Sequence, residues 1–128
     1  VATSSVGAGE FVYAKGVAST AVGSVVTVDE AGVTALAGAN AKGKIGVSMS
    51  ANVASQYGFY QVEGTASAKV ASGFADNGVV YLTSTAGTVD DADVAGDLVK
   101  GMIGRSAISG GLATMQMNHP WVDDSADD

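Results

Sequence analysis

The chain has 128 residues, enough for one domain that removes roughly two-thirds of its unfolded surface from water. Apolar residues make up 47% of it but aromatics only 6%, so its core is built mainly from Ala and Val, and 18 glycines with one proline favour short strands and tight turns over long helices. The net charge of −7 is concentrated in Asp123, Asp124, Asp127 and Asp128; the six basic residues are scattered, which excludes a nucleic-acid footprint.

There is no cysteine, so neither a disulfide framework nor a thiol centre exists, and an intracellular folding site is favoured. No apolar run reaches the roughly 18 residues of a membrane span, and no charged-then-apolar signal segment opens the chain. The opening Val in place of Met suggests a removed initiator or a cleaved leader.

Residues 1–9, VATSSVGAG, are small and uncharged with no period, and read as a flexible N-terminal arm. From Glu10 the pattern is β. Strands are expected over 10–17, 24–29, 43–49, 57–64, 65–70, 78–84, 98–108 and 112–118, each rich in Val, Tyr, Phe, Ile or Thr and bounded by turn residues. Alternation assigns faces: Ala113, Met115 and Met117 share one, Ala66, Ala68 and Val70 another, and Tyr60 and Val62 oppose Gln61 and Glu63. The one helix candidate is MSANVASQ, 49–56. The fold class expected is all-β, a small antiparallel β-sandwich or barrel, jelly-roll-like, with the domain at 10–118 and a C-terminal extension with an acidic tail at 119–128.

Two stretches invite a chemical reading. TVDDADVAGDL, 88–98, places Asp91, Asp93, Gly96 and Asp97 like the start of a calcium loop, but Ala95 and Met102 occupy the fifth and twelfth ligand positions. It reads as a hairpin end whose Asp and Gly residues suit turns. GANAKGKI, 38–45, begins like a phosphate loop, yet Ile45 stands where a magnesium-holding Ser or Thr is required, and a strand follows instead of a helix. His119 is the single histidine, too few for a typical zinc site, and a triad would need it to fold back onto a serine. Ser106 reads as a strand residue outside any nucleophile elbow. Neither a metal nor another cofactor is expected.

What remains is NHPWVDD, 118–124. Trp121 is the only tryptophan and stands outside the strand pattern beside Pro120. It either carries interface energy or plugs the open end of its own barrel.

The order of motifs resembles a family. GKIGVSMSA (43–51), FYQVEGTASAKV (59–70), GVVYLTSTAGTVDD (78–91), GDLVKGMIGRSAI (96–108) and LATMQMN (112–118) follow one another as in the head decoration, or capsid cement, proteins of tailed bacteriophages. The resemblance spans residues 43–118; the acidic tail and the HPW segment depart from it. It implies a structural protein of the virion exterior with no catalysis and no cofactor, assembled in the host bacterial cytoplasm. Such proteins bind the outer face of the shell as homodimers or homotrimers and bridge major capsid protein subunits, some through an N-terminal arm. Nucleic acid and membrane are not expected partners. The contact residues expected here are Val1, Ala2, Thr3, Ser4, Ser5 and Val6 of the arm, with His119, Pro120 and Trp121. The alternative is a secreted or cell-surface adhesin-like β-domain that binds carbohydrate or protein.

Overall fold

A computed structural model describes residues 3–4, 7–8, 10–51, 54–74, 79–91 and 97–122, and the described residues form strands and no helix. The strands are β1 (Thr3–Ser4), β2 (Gly7–Ala8), β3 (Glu10–Lys15), β4 (Val25–Val28), β5 (Thr34–Leu36) and β6 (Gly43–Ser48). They continue with β7 (Tyr57–Lys69), β8 (Val79–Leu82), β9 (Val89–Asp90), β10 (Leu98–Gly104) and β11 (Leu112–Val122). Strands β1 and β2 pair with each other, inside the segment expected to be an arm.

The other nine strands make one antiparallel sheet in the order β5-β4-β6-β7-β11-β10-β8-β9, with β3 also on β7 and an extra β6–β11 pairing. This sharpens the expected sandwich or barrel to a single sheet curled into a half-barrel. Two isolated parallel bridges, Lys15 with Val33 and Val70 with Val89, tie the curl together. They satisfy edges that would otherwise present unpaired main-chain groups.

Small side chains let the curled sheet pack closely on itself. The large core gathers Val25, Ile45, Val47, Ala68, Phe74, Leu82 and Met115, among others. A smaller core of Ala14, Val26 and Tyr60 lies beside it, flanked by Val12, Val28 and Leu36. The adjacent residues Val25 and Val26 fall in different cores and are both fully buried, so β4 is covered on both faces.

The two strands expected at 57–64 and 65–70 are one strand, β7, bent in its middle. Its first half pairs with β3 and β6, and its second half with β11. At the change of partner Gly64 has φ +100°, a region open to glycine at little cost. The bend shifts the phase of the strand: Tyr60 enters the small core, while Ala66 and Ala68 enter the large one. Gln61, expected on the face opposite Tyr60, is buried as well, and its Nε2 donates to the carbonyls of Glu63 (2.9 Å) and Thr65 (3.1 Å) across the bend.

Other boundaries moved for local reasons. Strand β5 was not anticipated; it follows a turn in which Asp29 Oδ1 accepts from the amides of Ala31 and Val33, both at 2.9 Å. The expected helix at 49–56 is absent from its described residues: the Met49 amide is committed to Phe59 O at 3.1 Å, and Ser48 Oγ bonds the carbonyl of Ser50. Asn52 and Val53 lie outside the described residues. Strand β10 ends at Gly104, so Ser106 is a bend residue, its Oγ accepting from the Thr114 amide at 2.9 Å. Strand β11 continues past Asn118 to Val122 and takes the HPW segment into the sheet.

Candidate functional site

The two chemical near-misses of the sequence meet in space. Asp97 is buried, and its Oδ1 accepts from the amide of Asn40 at 2.8 Å. An aspartate from the acidic stretch thus occupies a main-chain amide of the phosphate-loop-like stretch. The Asp97 carbonyl accepts from the Leu82 amide at 2.8 Å, which fixes the acidic stretch to β8. The carboxylate is therefore a structural acceptor joining two loops. Asp93 lies outside the described residues, and the described residues hold no cluster of three or more His, Cys, Asp or Glu side chains. Lys44 belongs to β6, paired with Val28 and Trp121, where a phosphate loop would need a helix.

His119 folds back, but onto a carboxylate. Its Nε2 lies 3.0 Å from Glu10 Oε1, with both side chains well exposed. An exposed pair of this kind contributes about 0–1 kcal/mol. The backbone around it is unusual: His119 has φ +46°, and Asn118, His119 and Pro120 bulge from β11 opposite the single residue Gly101 of β10. The bulge re-aims the strand. Before it β11 pairs with β7, and after it Trp121 and Val122 pair with Lys44 and Gly43 of β6.

The bulge also sets the directions of the contact candidates. Pro120 and Val122 are buried, while Trp121 is 45% exposed with Lys100 Nζ 4.5 Å from its ring centroid. Trp121 therefore stands on the outer surface and is not a plug. Of the arm candidates, Thr3 and Ser4 form β1, and Val1, Ala2, Ser5 and Val6 lie outside the described residues. The acidic tail, 123–128, lies outside them as well.

The largest exposed aromatic surface was missed by sequence reasoning. Tyr13 of β3 and Tyr57 and Phe59 of β7 are 62%, 53% and 49% exposed. Tyr13 stacks on Tyr57 with centroids 5.5 Å apart and planes 21° from parallel, and lies 5.0 Å from Phe59 in a tilted contact. The register explains the cluster, because Tyr13 is directly opposite Phe59 and Lys15 opposite Tyr57. Alternation inside YGFY was visible in the sequence. The missing signal was the pairing of β3 with β7, a contact between segments more than forty residues apart.

Beside this cluster runs a groove of about 620 Å³ between β3 and the 27–32 and 42–44 segments. Val12, Ala14, Val28 and Val62 supply its apolar lining, and Asp29, Glu30, Lys42 and Lys44 its charges. No protein-family profile, curated protein or solved structure matches the chain.

Proposed function

We propose that the chain is a structural capsid-decoration protein. It docks on the outer surface of an assembled phage shell as a homodimer or homotrimer and holds neighbouring major capsid protein subunits together without catalysis. The observation that carries this reading is the stack of Tyr13, Tyr57 and Phe59, three large rings left in water by a chain that has only 6% aromatics. Aromatic side chains concentrate binding energy at protein interfaces. The cross-tied β body beneath them is a rigid support, and modest contacts repeated across an oligomer add up to high avidity. The motif order over 43–118 supplies the identity of the partner. Purified protein mixed with expanded, undecorated phage heads is expected to co-sediment to a fixed stoichiometry; a chain that stays in the supernatant at every concentration overturns the proposal.

The near-parallel Tyr13 and Tyr57 rings favour a second reading, a carbohydrate-binding module of an adhesin-like surface protein. The face suited to a sugar is this pair rather than Trp121, whose ring already carries Lys100. Saturable binding to immobilised glycans that is lost in Tyr57→Ala, with no binding to heads, selects this reading instead.

A further inference from the structure

Among the described residues strand β3 has an open edge over Phe11 and Tyr13, and the direction of its main-chain groups follows from its Lys15 end. The Lys15 amide donates away from β7, to Gly32 O at 2.8 Å, and the Lys15 carbonyl accepts from Thr34 Oγ1 at 2.7 Å. The next residue faces the other way: the Gly16 amide donates to Gln56 O at 2.7 Å, on the β7 side. Alternation along an antiparallel strand then turns the amides and carbonyls of Tyr13 and Phe11 away from β7 as well, as at Lys15. Among the described residues those groups have no hydrogen-bond partner. Tyr13 lines the groove, whose volume lies within the roughly 300–1,000 Å³ of ligand sites, and Phe11 stands two residues along the same edge.

We infer that this groove takes up an extended segment of another protein, which adds to β3 as a further strand. Unpaired main-chain groups spaced two residues apart are satisfied most fully by another extended main chain, and that chemistry identifies the occupant. Alternate side chains of the added strand face inward onto Val12, Ala14 and Val28, where small apolar residues fit. The intervening side chains face outward, along the Tyr13–Phe59 surface. The wall opposite β3 carries charges of both signs, Lys42 and Lys44 on the β6 segment and Asp29 and Glu30 on the neighbouring β4 segment. A segment with an acidic side chain toward the lysines and a basic one toward the acids matches both. This inference concerns the edge of β3 and does not depend on which surface the protein coats.

The test selects binders to the full chain from a displayed library of random linear peptides, then compares Tyr13→Val with Tyr13→Pro. Both remove the ring, but only proline removes the amide that faces the groove; on an edge strand that amide is not needed for pairing with β7. Selected peptides are expected to bind Tyr13→Pro about ten-fold more weakly than Tyr13→Val. They are also expected to slow amide hydrogen exchange at Phe11 and Tyr13 in the parent chain, a readout that holds even if the proline variant does not fold. Recovery of no peptide above background overturns the inference, as does unchanged exchange at both amides in the saturated complex. Protection without peptide that rises with protein concentration assigns the edge to a second copy and also overturns it. So does protection that vanishes when the chain is truncated after Val122, which assigns the edge to the chain's own tail.

Discussion

At Gly101 the backbone takes φ +82°, and a Cβ placed there would meet Asn118 O at 2.8 Å. Gly110, at φ +62°, has nothing within 4 Å of the same position. The two glycines separate backbone strain from collision. Gly110→Ala is expected to cost about 1–2 kcal/mol, the penalty of an L-residue in the left-handed region. Gly101→Ala costs more, because the opposing atom belongs to the main chain; urea denaturation of the pair measures the difference, and equal midpoints would remove the collision. Asp97 poses a different question, since it looks like a metal ligand and serves as an acceptor for Asn40. Asp97→Ala leaves that amide unpaired and is expected to cost about 1–3 kcal/mol, while Asp97→Asn keeps an acceptor and costs less. Neither EDTA nor added calcium is expected to move the parent's melting temperature, and a calcium-dependent rise would return the acidic stretch to the metal reading. The role of Asp97 was hidden in the sequence, because Asn40 is 57 residues away.

At the scale of elements, long strands change neighbours partway along, among them β7 at Gly64 and β11 at the 118–120 bulge. Each change needs a local device. In β7 it is Gln61, whose buried amide holds two carbonyls across the bend. Gln61→Leu preserves bulk but leaves those carbonyls without their donor, an expected loss of about 1–3 kcal/mol by chemical denaturation. A neutral effect would mean that water replaces the side chain. In β11 the device is the His119–Pro120 bulge, which alternates Pro120 inward, Trp121 outward and Val122 inward. Trp121→Ala is therefore expected to cost about 1–2 kcal/mol, from its contact with the Lys100 ammonium and the covered part of its ring. Tyr60→Ala, which empties a fully buried site in the small core, is expected to cost about 3–5 kcal/mol. A Trp121 variant as unstable as the Tyr60 variant would restore the plug.

On the proposed function, stability and docking of the molecule as a whole fall on different surfaces. The large core consists largely of Ala, Val and Met and the small one of Ala14, Val26 and Tyr60, and the exposed rings of Tyr13, Tyr57 and Phe59 belong to neither. Replacing all three with Ser is expected to leave the melting temperature within a few degrees of the parent and to abolish sedimentation with phage heads. If the triple variant still sediments, another face makes the contact, and the Trp121 surface is the next to examine.

The sequence by itself determined the all-β class, the approximate place of most strands, and the buried faces of β11 and of the second half of β7. Those features depend on alternation and turn chemistry, which act between near neighbours and repeat every two residues. Ala113, Met115 and Met117 face inward as their spacing requires, and Ala66, Ala68 and Val70 do likewise. Strand pairing between distant segments was decided only in the tertiary structure. It fused two expected strands into β7, set Tyr13 against Phe59, gave Asp97 to Asn40 and drew Trp121 into the sheet. A two-residue period says which side of a strand is buried, but it does not name the strand alongside; loop-closure entropy and packing across the whole curl choose that neighbour.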